Sequence, residues 1–404
     1  MSLPEHARVI QNPQVWMEGN AVEQLGRVAE LPGCVRAVGL PDLHAGPGVP
    51  IGAAFAFDGV IRPLLVGSDA GCGVSVIALE RVKATGDALE RRAREATDGP
   101  ALPDLDPGAL LAAAWRGGPA GLLSVPGLPD ELIEWAEREP PEADPTPSGP
   151  VPDDPSLGEA LGSVGGGNHF LELGEVTATP DKESAARAGL RRGGFAVLAH
   201  SGSRGVGAWL LHRWGDRVLE GPDIPAYLAD LAGAQRFARA NRLVLCWRLL
   251  GAVGAARPDR TAGRFDLIHN TVLASTLDGR PVWLHRKGSA PADAGQPTVV
   301  LGSRGAPSWV MEGLGDASCL CSVAHGAGRR MGRSEAVSKL KPRYRRDALH
   351  RTPSGNRVLC DDPELLYAEH PDAYKDIDPV IDALEAAGAA RRTARLEPRV
   401  TVKR

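Results

Sequence analysis

Apolar and polar positions follow two different periods along this chain. "CVRAVGL", "IGAAFAF" and "PLLVGSDAGCGVSVIAL" are short apolar runs set between glycines and prolines, as in buried strands joined by loops. Residues 80–97 carry charges at helical spacing and predict an exposed helix. From 98 to 157 proline and glycine become dense, and "EREPPEADPTPSGPVPDDP" is the most polar part. That composition predicts a surface insertion around one short helix at 128–138, within a single domain spanning 1–404. Strand-like runs return at "HFLELGEV" and "FAVLAHSG". An Ala/Leu/Arg-rich stretch over 207–254 has helical periodicity, and strands resume at "PVWLHR" and "TVVLGSRG". The tail "EPRVTVKR" alternates like a final strand. The series predicts an α+β fold of mixed sheets and helices, with its chemistry in the loops between strands.

Composition narrows the function classes. Over 404 residues, 43% hydrophobic and 24% charged residues fit a globular protein with a substantial core. A net charge of −4 excludes a protein that is basic overall, so any nucleic-acid site must be a local patch. Only seven of the 46 basic residues are lysine, which makes a functional lysine easier to single out. The N-terminus "MSLPEHARVIQNPQVW" lacks an apolar signal core, and no run approaches the ~20 apolar residues that span a bilayer. Six cysteines in so long a chain are weak grounds for disulfides. These features predict a cytoplasmic protein with reduced thiols and no membrane partner.

Five loops combine glycine with a group able to bind metal or phosphate: "LPDLHAGPGVPIG", "VGSDAGCGV", "GSVGGGNHFLEL", "LAHSGSRGVG" and "DLIHN". Singly, each has an ordinary reading. Asp69 caps a turn, Cys72 is a small buried hydrophobe, His200 is a core histidine bonded to backbone. Together, Asp69, Cys72, His169, His200 and His269 each stand in a Gly-rich turn at a strand end. One carboxylate, one thiol and three imidazoles suit borderline divalent ions such as manganese, zinc or cobalt. Five ligands exceed one tetrahedral site, and a bridging Cys72 thiolate could join two ions, an arrangement suited to in-line displacement at phosphorus. A single structural zinc fits less well, because its ligands usually include C-x-x-C pairs and this chain has none. "GSVGGGN", "SGSRGVG", "GSRG" and "HGAG" expose backbone N–H groups that could cradle phosphate, or are simply tight turns. His325 stands in "CSVAHGAGRRMGRSEA" among small residues that let other groups approach. A neutral histidine there could be a ligand, a general base or a nucleophile.

In order along the chain, "PDLHAGPGVPIG", "SDAGCGV", "GGGNHFLEL", "HSGSRGVG", "HN", "HRKG", "GSRG", "HGAGR" and "AYKDID" resemble the RtcB family of RNA ligases, from "VWMEG" to the terminal "VTVKR". That family joins RNA 3′-phosphate or 2′,3′-cyclic phosphate ends to 5′-hydroxyl ends. The resemblance implies one α+β domain around a dinuclear manganese site, GTP as cofactor and RNA as partner, and it is compatible with an activating partner protein. Carried over by position, Asp69, Cys72 and His169 would bind one Mn2+, and Cys72, His200 and His269 the other. His325 would be the nucleophile that takes GMP from GTP, and Asp42 falls at an acidic position the family needs for activity. Around the nucleotide, the resemblance places Asn168, His169, Phe170, Leu171, Glu172, His269, Asn270, Leu301, Gly302, Ser303, Arg304, Ser308, His325, Gly326, Ala327, Gly328 and Lys403. Tyr374 would pack near the guanine.

The sequence also departs from the family pattern. Most members have Pro-Gly-Ser-Met where this chain has Leu301-Gly302-Ser303-Arg304, and Asp293 stands where an arginine is common. With "CDDPELLYAEHPDAYK", these features resemble the branch found beside release factor H, which points to RNA repair more than to tRNA splicing. Arg329, Arg330, Arg333, Lys339, Lys341, Arg343, Arg345 and Arg346 form a basic run. Alone it would be a solvated helix face; beside a nucleotide-transfer site it becomes a candidate phosphate track for RNA. Aromatic residues are only 4%, so binding should be to backbone and ends more than by stacking. Two rival functions use the same residues: a two-metal phosphoesterase without covalent guanylylation, and a non-enzymatic RNA-binding protein.

Overall fold

The computed structural model describes residues 3–140 and 146–404. Two sheets face each other, and each carries helices on its outer side. Strands Ala7–Val9, Cys34–His44, Ile51–Phe57, Arg280–Lys287 and Asn270–Leu277 form one sheet in that spatial order. The other sheet runs Pro297–Val300, Ser308–Gly313, Ala390–Val402, Phe170–Ala178, Phe195–Ser201, Gly73–Leu79, Thr261–Ile268, with Arg357–Leu359 paired to the long terminal strand. Ser289–Pro291 and Ser322–Ala324 make a two-stranded ribbon. The α+β class is as the periodicity predicts.

The apolar runs are continuous because both faces of the larger sheet are buried. Side chains alternate along each strand. Val74, Val76, Ala78, Ala196 and Leu198 point into the layer between the sheets, together with Val38, Leu40, Ala54 and Ala56 of the smaller one. Ile77, Leu79, Leu171, Leu173, Val197 and Ala199 point the other way, into a core shared with the helices. The smaller sheet buries Phe55, Phe57 and Leu43 against Leu25 and Val28 of the helix Gly19–Ala29.

Three expectations need correction. Segment 98–157 is not a surface insertion around one helix. Besides Asp130–Glu137 it contains a helix at Pro107–Gly121, whose Leu110, Leu111, Ala114 and Trp115 join the main core. A Cβ on Gly233 would lie 2.2 Å from the Trp115 ring, so the long helix Asp223–Ala252 meets that indole at a glycine. The misleading prolines have local roles. Pro107 occupies the first helical turn, where the missing N–H costs nothing, and Asp106 caps it through the Ala109 N–H at 2.6 Å. Residues 141–145 of the polar stretch lie outside the described residues. Residues 80–97 are helical only over Gly86–Thr97, and Leu89, Ala93 and Thr97 are buried. The 207–254 stretch is two helices, Gly205–Trp214 and Asp223–Ala252. The second buries side chains on every side, as expected of a helix covered all round. All six cysteines are unpaired. Among the described residues no helix is long and apolar enough to cross a membrane.

Candidate active site and metal centre

The strand ends of the larger sheet converge where the chain crosses to the smaller one. Asp69 and Cys72 lie in the turn before Gly73–Leu79, with Cys72 N–H donating to Asp69 O at 3.0 Å. His200 is on Phe195–Ser201, paired with Val74 on one side and Phe170 on the other. It shares a face with Ala196 and Leu198, which aims the ring into the layer between the sheets. His169 immediately precedes Phe170–Ala178, and His269 is the single residue between Thr261–Ile268 and Asn270–Leu277. His269 N–H donates to Cys72 O at 2.9 Å, which ties the crossing point to the thiol loop.

Five donor atoms meet there. Cys72 Sγ is 3.2 Å from His169 Nε2 and 3.5 Å from His200 Nε2. His169 Nε2 lies 2.9 Å from Asp69 Oδ2, and His200 Nε2 lies 3.3 Å from His269 Nε2. Two ligand sets result, Asp69–Cys72–His169 and Cys72–His200–His269, each with its donor atoms within 4.8 Å of one another. They share Cys72. Burial, aided by neighbouring imidazoles, holds His200 and His269 well below the usual histidine range, so both rings stay neutral with a lone pair to give. Burial and then the Asp69 charge push the Cys72 thiol well up. Asp69 feels burial first, but the His169 ring outweighs it and holds the carboxyl low. A buried thiol beside a carboxylate is short of positive charge. A divalent cation would supply what this donor set lacks, and its coordination would favour the thiolate form of Cys72.

His325 follows the short strand Ser322–Ala324, 4.9 Å ring to ring from His269 and 6.4 Å from His200. Its Nδ1 is 2.7 Å from Asp42 Oδ2, on a carboxylate whose side chain is fully buried. A carboxylate oxygen accepts, so Nδ1 carries a proton, and in the neutral ring Nε2 then keeps the lone pair. Lys375 Nζ donates to the carbonyls of Pro41 and Leu43 on either side of Asp42, at 3.0 and 2.8 Å. Gly328 answers the question of small neighbours directly. At φ +76° it passes so close to Asp42 that a Cβ would lie 2.3 Å from the Asp42 carbonyl oxygen.

His325 lines a cavity of about 210 Å³. Of the residues placed around a nucleotide by resemblance, Asn168, Phe170, Leu301, Gly302, Ser303, Arg304, Gly326, Ala327, Gly328, Tyr374 and Lys403 line it too. The others do not line it. Asn270 spends its amide on Asp69 O and Gly288 N–H, at 3.1 and 2.7 Å. Ser308 Oγ accepts from Gly302 N–H at 3.0 Å. The Leu171 side chain points into the core on the opposite face of the sheet. Glu172 is buried under Thr401, whose hydroxyl donates to it at 2.5 Å, and burial raises its carboxyl to about 8. Lys403 is not on a free tail. The terminal strand pairs with Phe170–Ala178 up to Val402, and Lys403 Nζ donates to His169 O at 2.9 Å.

The basic run divides. Arg329 and Arg333 reach the cavity, both bonded to the buried Glu369 at 2.9 and 3.2 Å. Lys339 and Arg345 pair locally with Glu335 and Asp347 on the exposed surface beyond. The sequence reading also missed a supporting shell. Arg242 holds Asp266 in a two-pronged pair at 2.7 and 2.8 Å, and its Nη1 donates to Gly71 O and Ser201 O. Asn241 links Gly162, Ser163, Ser201 and Gly202. Arg204 Nη1 lies 3.3 Å from His169 Nδ1. No local signal marked Asn241 and Arg242, because the same helix also carries Asp230, Gln235, Arg236, Arg239 and Arg248.

The family model described as tRNA-splicing ligase RtcB matches residues 24–98, 153–220 and 217–404. RNA-splicing ligase RtcB2 of Escherichia coli is 36% identical over 402 residues, covering 98% of this chain and 94% of the relative. RNA-splicing ligase RtcB of Mycobacterium tuberculosis is 32% identical over 444 residues, with 94% and 100% covered. tRNA-splicing ligase RtcB of Archaeoglobus fulgidus is 30% identical over 473 residues, with 98% and 94% covered.

Proposed function

The chain belongs to the tRNA-splicing ligase RtcB family, and from that premise we propose that it is a GTP- and manganese-dependent RNA ligase working through a histidine–GMP intermediate on His325. It joins RNA 3′-phosphate or 2′,3′-cyclic phosphate ends to 5′-hydroxyl ends, in RNA repair. One observation carries the reading: His325 lines the cavity beside His200 and His269 and is anchored through Nδ1 on Asp42 at 2.7 Å, which leaves Nε2 as the lone-pair nitrogen of the neutral ring. A passive RNA-binding protein needs no oriented imidazole, and a phosphoesterase would use one as a general acid or base without forming a stable covalent nucleotide.

Manganese held by Asp69, Cys72, His169, His200 and His269 would supply Lewis acidity and neutralise phosphate charge. The chain's own groups do the rest. His325 Nε2 attacks the α-phosphorus of GTP; an N–P bond forms, a P–O bond breaks and pyrophosphate leaves. Asp42 stabilises the imidazolium that develops, by accepting its Nδ1 proton in a hydrogen bond. An RNA 3′-phosphate oxygen then takes the GMP and frees His325. A cyclic end must first be opened by water. The RNA 5′-hydroxyl attacks the activated end, a phosphodiester forms and GMP departs. Arg333, half-exposed on the cavity lining, favours the approach of phosphate.

The test is incubation of wild type and His325→Ala with α-labelled GTP and manganese, followed by denaturation. Label should survive on wild type and be absent from the variant, with bound metal unchanged. Label on His325→Ala at the wild-type level would refute the nucleophile. No label on wild type, with phosphate release intact, would favour the phosphoesterase.

A further inference from the structure

Lys375 is a buried cation that lines neither the cavity nor a ligand set. It is only 7% exposed. Its Nζ donates to the carbonyls of Pro41 and Leu43, at 3.0 and 2.8 Å, without entering an ion pair among the described residues. Burial lowers its amine to about 8, against the pull of the Asp42 carboxylate and then that of Glu18. A lysine that served only to satisfy two backbone carbonyls would be a costly choice, because desolvating an ammonium outweighs what two hydrogen bonds return.

The two carbonyls are not arbitrary. Pro41 and Leu43 flank Asp42, whose side chain is wholly buried and holds His325 Nδ1 through Oδ2. Asp42 Oδ1 has no hydrogen-bond partner among the described residues, so the ammonium beside this loop offsets a charge that is otherwise compensated from one side only. The Lys375 backbone N–H donates to Gly328 O at 2.9 Å, three residues after His325. One residue therefore spans both loops of the Asp42–His325 pair, by its side chain on the first and its backbone on the second. It is itself firmly seated. The next residue, Asp376, caps the helix Ile377–Ala386, whose Ile377, Val380, Ile381 and Leu384 are buried in the core. Resting on the reading of His325 as the nucleophile, we propose that Lys375 is a positioning residue that fixes the Asp42 carboxylate on His325 and acts on GMP attachment only through Asp42.

The test is a double-variant cycle in the full-length, manganese-loaded protein. Single-turnover labelling by α-labelled GTP is followed across GTP concentrations for wild type, Lys375→Met, Asp42→Ala and the double variant, with metal content and thermal unfolding recorded alongside. Lys375→Met keeps the apolar stem and removes the ammonium. It should lower the maximal labelling rate by up to about a hundredfold, the loss expected when a reacting group shifts by about 1 Å. Metal content and the GTP concentration for half-maximal labelling should change little. In the Asp42→Ala background the same substitution should have almost no effect, because no carboxylate is left to place. A lysine that serves only the fold would cost the same in both backgrounds, and that result would overturn the proposal. So would a loss that appears as a higher GTP requirement or as missing metal. If Lys375→Met does not fold, Lys375→Arg enters the same cycle, since it keeps charge and donors on a longer, bulkier head. It should slow labelling when Asp42 is present and not when it is absent; equal slowing in both backgrounds, or none in either, would count against the proposal. If wild type takes no label from GTP at all, the reading of His325 fails, and this proposal with it; equal losses in both backgrounds on a wild type that does take label remove this proposal alone.

Discussion

Asp42→Asn is the sharpest perturbation of this site, because it keeps shape and changes one proton. In the wild type, Asp42 Oδ2 sits 2.7 Å from His325 Nδ1 and can only accept. An asparagine amide in the same place can turn its NH₂ toward Nδ1. The imidazole would then hold its proton on Nε2, and the attacking lone pair would be gone. Elsewhere, replacing the carboxylate partner of a catalytic histidine by a carboxamide costs about 10⁴-fold through the wrong tautomer. The same figure is expected here for the rate of GMP attachment. Asp42→Ala separates two contributions. It leaves the tautomer free but the ring unheld, and a misplaced group costs about 10²-fold.

The assay is single-turnover labelling with saturating GTP and manganese, alongside metal content and thermal unfolding. The expected order of rates is wild type, then Asp42→Ala, then Asp42→Asn. Equal rates in the two variants would eliminate the tautomer argument. An Asp42→Asn rate within tenfold of wild type would show that Asp42 neither orients nor stabilises His325.

Cys72→Ser should lose both metals together with activity, since a serine hydroxyl is not deprotonated at neutral pH; two manganese ions retained on elemental analysis would rule out a shared thiolate. Asp69→Asn, by contrast, should weaken only the set containing His169, so residual metal should be higher than in Cys72→Ser. Glu172 gives a pH signature. Its folded carboxyl is raised to about 8 from 4.5, so the unfolded chain releases its proton first and stability should fall as pH rises from about 4.5 to 8. Glu172→Gln should remove that slope, and wild type and variant melting without nucleotide in parallel across the window would contradict it. Lys403→Met should raise the GTP concentration for half-maximal labelling while leaving metal content and unfolding nearly intact; an unchanged GTP dependence would mean that the terminal strand serves only the fold.

Much of the fold was legible because its strands are buried on both faces. "GVSVIAL" and "FAVLAHS" carry no charged residue, and Ser75, His200 and Ser201 are too few polar side chains to make a helix surface. Failure came where composition and packing disagree. The segment with Pro107 and Pro119 looked like surface chain, yet Trp115 is completely buried and its indole N–H donates to Gly149 O at 2.7 Å. Proline density reports backbone restriction, not exposure. At Pro107 that restriction starts a helix. The glycine that admits Trp115 is Gly233, over a hundred residues later, and no local window joins the two.

The site divides along the same physical line. Residues that offer a side-chain donor to an outside ligand stood out, because histidine, cysteine and aspartate in glycine turns are chemically conspicuous. Those that position them did not, because their partners are backbone carbonyls. Arg242 shows why this layer matters. It is wholly buried 2.7 Å from Asp266, and its Nη1 reaches Gly71 O and Ser201 O. Gly71 immediately precedes Cys72, and Ser201 immediately follows His200. One guanidinium therefore fixes the two strand ends that carry a thiol and an imidazole 3.5 Å apart. In the sequence Arg242 is only one of four arginines in its helix. Its targets are hidden further, since every residue has a carbonyl and only the packed sheet decides which ones come within reach.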